Sequence, residues 1–386
     1  LQAEQKVIDR FLKENPGAKV EVTSVPGTAE FITALKAKFA AGEAPDMYRF
    51  QGGNRVREFA AAGLIYDMTD EPFMAQAKKE DLPFNSYKGR VYGFPINYES
   101  TGLFINREAL KKFGDIKYPE SFPQLLAACQ TIRDKGHKYP MIIAGKDINN
   151  VSQFDFQYLA TVVLANNPGY YKEMLEGKRK FNDPFIREMF AKFSKLREYM
   201  PPDSLGVDND EAIKRFIRGD GVYWVAHGST IQRIRELAGP DFDFVIVPTV
   251  LQDKVEDRWV NVGLTAAMSI SKPVKNLDAV RAFMTNYVKK ESGEIMVRSG
   301  GLISTFKGVE IMPDKSLDPC LPWFNGNRKV GHADLVWVPG IKDVMKEVTQ
   351  KWFLGEPLDN VLNEWESQHQ RLLKANPKFI EEWGKE

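Results

Sequence analysis

Little in this chain invites chemistry. Its 386 residues hold two cysteines, Cys129 and Cys320, too few for a disulfide framework or a multi-cysteine metal site. Four histidines (His137, His227, His332, His369) are scattered without metal-ligand spacing. The phosphate-cradling loop G-x-x-x-x-G-K-[ST], the nucleophile turn G-x-S-x-G, the zinc pair H-E-x-x-H and the redox pair C-x-x-C are all missing. No stretch reaches the roughly 18 apolar residues that cross a bilayer. Charge of one sign is also lacking: 53 basic residues stand against 52 acidic ones, so a broad basic face for nucleic acid is not implied.

What is present is ordinary globular material, 43% apolar and 27% charged, in a chain long enough for two or three domains. The chain opens at Leu1 inside an amphipathic helix, with Val7, Ile8, Phe11 and Leu12 on one face. No leader with a cleavage site is visible, so preceding residues are expected to have been removed or not recorded. Asn15-Pro16-Gly17 stops that helix, and Val20, Val22 and Val25 read as a strand. A helix over 31–41, a buried strand over 47–50 and a helix over 56–62 follow. This alternation predicts a mainly parallel sheet covered by helices. Later segments are longer helices, with strands expected over 222–225, 244–247 and 262–271. Asp208-Asn209-Asp210-Glu211 looks like part of a calcium loop but lacks its glycine and terminal glutamate, and reads better as a helix cap. The sequon Asn150-Val151-Ser152 carries little weight alone.

An ordered set of phrases recurs along the chain. They are Asn15-Pro16-Gly17, Gly42-Glu43-Ala44-Pro45-Asp46, Ala62-Gly63-Leu64 through Asp70, and Tyr87, Gly89, Tyr92, Gly93 and Pro95. Then come Leu103-Phe104-Ile105-Asn106, Pro119-Glu120-Ser121-Phe122, the phrase from Phe216 to Val222, the returning strand from Trp259 to Ser271, and Gly301-Leu302-Ile303-Ser304. Each is soft, but their joint order resembles the extracellular solute-binding proteins of bacterial ABC importers, in the sugar-binding branch that includes the maltose-binding proteins. The resemblance implies an α/β, two-lobed periplasmic-binding-protein fold of type II, with the ligand in the interlobe cleft. It implies discontinuous lobes, 1–107 with 262–311 and 108–261 with 312–386. It also implies a first strand ahead of Leu1, a monomer without metal or cofactor, no nucleic-acid partner, and delivery of a carbohydrate ligand to transmembrane permease subunits. The protein would work outside the cytoplasm, in the periplasm or as a lipid-anchored surface protein.

Sugars present C–H faces that suit aromatic rings and hydroxyls that need directional partners. Carried over by position, the resemblance places ligand contacts at Phe50, Gln51, Asn54, Glu99, Gln153, Asp155, Trp224, His227, Ser229, Trp259, Asn261, Trp323 and Trp337. Phe50 and Trp259 read equally as core residues, and Trp224, in an apolar strand, reads more readily as core than as a contact. Two alternatives stay open: a receptor of the same fold for a phosphorylated polyol or peptide, and a carbohydrate-active enzyme, since the chain has carboxylates enough for a glycosidase pair.

Overall fold

The computed structural model describes residues 2–25, 28–300, 303–335 and 337–383. Gly301 and Leu302 of the phrase singled out above lie outside them. The chain forms two compact units, Leu1–Glu99 with Leu264–Pro313 and Ser100–Gly263 with Asp314–Lys385. Among the described residues the strands are, in chain order, β1 (Met47–Phe50), β2 (Ser86–Tyr87), β3 (Arg90–Val91), β4 (Phe94–Asn106), β5 (Met141–Ile142), β6 (Tyr223–His227), β7 (Phe244–Val247), β8 (Val260–Ile270), β9 (Ile303–Ser304) and β10 (Lys329–Gly331).

In the first unit, β1 runs antiparallel to the Ala267–Ile270 end of β8. β9 runs antiparallel to β4 at Asn97 and Tyr98. Helices Gln2–Glu14 and Leu277–Tyr287 bury Val7, Phe11, Phe283 and Met284 against Phe94, Ile96, Met268 and Ile270 of the strands. Phe11 and Phe283 meet edge to face at 5.1 Å, and each such ring contributes roughly 1.5–3 kcal/mol by leaving water. Helix Leu277–Tyr287 starts where Asn276 accepts a hydrogen bond from the Ala279 amide at 3.0 Å, which satisfies an otherwise orphaned donor.

In the second unit, β4 is paired on both edges. Thr101–Ile105 runs antiparallel to β6, and Leu103–Asn106 runs antiparallel to β7. β5 lies parallel to β6, and β10 parallel to Val260–Val262 of β8. The rings of Phe104, Trp224, Phe181 and Trp365 are fully buried, and Phe181 stacks on Trp365 at 4.3 Å. Asp208 caps helix Asn209–Arg218 by accepting from the Glu211 amide at 2.9 Å, and Gly219 ends it in the left-handed conformation. The acidic cluster is therefore a helix start, as its missing loop glycine suggested. Asn150 of the sequon is buried, accepting from the Ala144 amide at 2.9 Å and the Trp224 indole at 3.2 Å.

Two sequence expectations are corrected. The sheet is not mainly parallel: β4, β6 and β7 pair antiparallel, as do β1 with β8 and β9 with β4, leaving only β5–β6 and β10–β8 parallel among the described pairs. The alternation argument assumes that each helix returns the chain to begin the next strand in the same sense. Here the 13-residue β4 passes from one unit into the other, and the later strands come back against it. The run 18–25 forms no ladder. Val20 packs on the core of the first unit, but Val22 is 54% exposed, so the apolar alternation does not line one buried face.

Candidate functional site

In the first unit the turn from β1 into helix Asn54–Ala61 carries Gln51 and Asn54. Gly53 makes the turn at φ 71°, ψ −131°, backbone that glycine alone adopts without strain. Gln51 is half-buried and Asn54 buried, while Glu99 is exposed at the end of the unit. Phe50 does not share their surroundings. Its ring lies 5.0 Å from Tyr48 and 5.3 Å from Phe59, both edge-on, in an aromatic knot. Strand periodicity explains this: Tyr48 and Phe50 point to the buried face.

In the second unit the structure gathers Gln153, His227 and Ser229 around Thr101. Thr101 stands opposite His227 in the β4–β6 ladder, and its hydroxyl donates to Gln153 Oε1 at 2.9 Å. Gln153 Nε2 in turn donates to the Asn149 carbonyl at 3.0 Å. The turn after β6 folds Ser229 back on the imidazole, so that His227 Nδ1 accepts from the Ser229 amide at 3.1 Å and from its hydroxyl at 2.8 Å. The backbone donor fixes Nδ1 as the acceptor and puts the proton of the neutral ring on Nε2. Two hydroxyls, a carboxamide and an imidazole thus share one end of the unit. Sequence reasoning missed Thr101, although it lies two strand positions from Glu99 and period-2 alternation puts both on one face.

A third group sits at the start of β8. Trp259 and Trp323 are half-buried, and the buried Arg258 guanidinium lies over the Trp323 ring at 5.2 Å. Asn261 is buried, and its Nδ2 donates to the Phe156 carbonyl at 3.3 Å. That carbonyl lies at the end of helix Gln153–Tyr158, just before the chain widens into a π-helical turn over Leu159–Leu164. Asn261 therefore ties the strand to the helix where its ladder is disturbed.

Four of the residues proposed for ligand contact are core. Phe50 belongs to the knot described above. Trp224 is buried among Phe104 and Phe216 with its indole bonded to Asn150. Trp337 stacks on Tyr171 at 4.8 Å. Asp155 is fully buried and accepts the Thr349 hydroxyl. Burial pushes its carboxyl well above the usual carboxylate range, and the Thr349 bond only partly offsets this. Each ring or carboxyl is spent on packing, which sequence position alone does not reveal. Both cysteines are reduced and buried, and burial pushes the Cys320 thiol up to about 12. No group of metal-ligating side chains occurs among the described residues, and no helix there is long and apolar enough to cross a membrane.

Comparison with known proteins gives a consistent picture. Residues 1–294 match the family model of the bacterial extracellular solute-binding proteins. A multiple sugar-binding protein of Streptococcus mutans is 23% identical over 323 residues, covering 82% of this chain and 74% of the relative. The melibiose/raffinose/stachyose-binding protein MelE of Bacillus subtilis is 26% identical over 320 residues, covering 79% of this chain and 71% of the relative. Among solved structures, the apo form of RafE from Streptococcus pneumoniae superposes with a TM-score of 0.84 at 20% identity, covering 96% of this chain and 94% of that one. The chain belongs to the bacterial extracellular solute-binding proteins.

Proposed function

We propose that this solute-binding protein is the extracytoplasmic receptor of a carbohydrate importer. It binds a mono- or oligosaccharide and passes it intact to the permease subunits of an ABC transporter, free in the periplasm or held at the cell surface by a lipid. The observation that most supports this reading is that both curated relatives, aligned over most of this chain, are named for sugars. The chemistry of the Thr101 group agrees with it. Hydroxyl, carboxamide and imidazole groups match the donors and acceptors of a neutral polyol. A phosphorylated ligand calls instead for clustered guanidinium forks, and that group has none.

Capture by lobe closure, which the family resemblance implies, needs a ligand that favours one state of the protein over another. Reversing a 1:99 equilibrium takes about 5.5 kcal/mol, while micromolar binding releases about 8 kcal/mol in all. A thermal-shift screen over melibiose, raffinose, stachyose, maltose and galactose, with phosphorylated polyols and peptides as counter-ligands, tests the reading. At least one sugar is expected to raise the melting temperature by several degrees, as saturation at 100 times Kd adds about 2.7 kcal/mol. A response confined to the phosphorylated or peptide ligands would replace this reading with another solute class.

A further inference from the structure

We propose that Asn85 is a positioning residue for the turn Gln51–Asn54 of the first unit, whose Gln51 and Asn54 the family resemblance assigns to the ligand. The inference rests on the receptor reading above. Asn85 ends the 3-10 segment Lys79–Asn85 and is fully buried. Its backbone carbonyl accepts from the Tyr92 amide at 3.0 Å, which fixes its own place. Its Oδ1 accepts from the Gly53 amide at 3.3 Å. The turn is pressed against it. A Cβ at Gly52 would come within 2.7 Å of Asn85 Oδ1 and 3.3 Å of the Leu264 side chain. A Cβ at Gly93 would lie 3.3 Å from Asn85 Cβ.

Glycine is what lets the backbone approach this closely, and it is also what leaves the turn loose. Two successive glycines have the widest conformational choice of any dipeptide. The single side-chain bond to Gly53 selects one conformation from that choice, with Gly53 at φ 71°. Gln51 and Asn54 flank the two glycines, so their relative placement is set by that bond. The orientation of the amide follows from the same contact, because a flipped amide would set two donors against each other. Nδ2 then has no partner among the described residues, and replacing it removes no bond within the protein.

The test is calorimetric titration with whichever of raffinose, stachyose and melibiose binds the unaltered protein best, repeated on Asn85→Leu and Asn85→Asp. Asn85→Leu keeps the bulk and loses the acceptor; its affinity is expected to fall roughly tenfold or more as the turn must be ordered by the ligand itself. Asn85→Asp keeps the acceptor and should stay within about threefold of the unaltered protein, even if its melting point drops. Asn85→Leu binding within about twofold, or Asn85→Asp as weak as Asn85→Leu, would overturn the assignment. Amide exchange at Gly53 in the unaltered protein gives an independent readout should a variant fail to fold. The Gly53 amide is expected to exchange at least about a hundredfold more slowly than an exposed loop amide, and free exchange there would overturn the proposal. If the unaltered protein binds no sugar, the receptor reading fails, and the Gly53 exchange still judges Asn85.

Discussion

Tyr171 accepts a hydrogen bond from the Val338 amide at 2.9 Å, and its hydroxyl lies 3.0 Å from His369 Nε2. Which of the two gives the proton in that second bond depends on the tautomer of the neutral ring. Burial edge-on to Phe181 at 5.2 Å pushes the His369 pKa down to about 4, against a weaker pull upward from Glu366. The folded value lies below the unfolded one of about 6.5. The neutral ring therefore supports the fold fully above that value, and this support is lost as pH falls toward about 4. The loss is on the order of 3 kcal/mol. In the folded protein the His369 imidazole should stay neutral, by NMR, down to about pH 4; a ring titrating at its ordinary value would contradict the burial argument. This residue illustrates what sequence leaves hidden. His369 stands between Gln368 and Gln370, and only its spacing from Leu362, Trp365 and Leu373 on the apolar face of the helix marks it as buried, at 1% exposed. The same holds for Phe50, Trp224 and Trp337, whose aromatic character suits a sugar and a core equally well. Gln153, His227 and Ser229 were named from position, and their mutual geometry comes through Thr101, which sequence position did not single out.

At the scale of elements, helix Gln153–Tyr158 is gripped at two points one turn apart. Thr101 of β4 bonds Gln153, and Asn261 of β8 bonds the Phe156 carbonyl. Both strands are thereby fixed to one helix just inside the second unit. Asn261→Ala takes away the side-chain partner of a buried carbonyl and should destabilise the protein by about 1–3 kcal/mol in urea unfolding. An unchanged unfolding midpoint would show that the Phe156 carbonyl draws its support from the helix alone. Elements whose signals are local were legible: the helix after Asp208, with its cap, falls where the sequence puts it. Strand direction was not, because it depends on how distant segments meet. β4 pairs with strands more than a hundred residues away, and nothing in its own apolar run records their sense. The π-helical turn over Leu159–Leu164 is likewise silent in sequence, since a run apolar but for Thr161 fits either helical form.

At the scale of the molecule, the two units, each built from separated stretches of chain, each hold some of the polar residues that the family resemblance assigns to the ligand. Gln51 and Asn54 belong to the first, and Gln153, His227 and Ser229 to the second. The family was readable from the order of turn and core phrases, because those phrases encode scaffold. The choice of sugar was not, because it depends on side chains from loops far apart in sequence. The central claim is binding without turnover, and the most direct test is long incubation of the purified protein with raffinose or stachyose, followed by calorimetry and mass spectrometry of the recovered ligand. The account predicts saturable binding at one site per chain and a sugar of unchanged mass. A shortened glycan whose release stops on substitution of one carboxylate would contradict it.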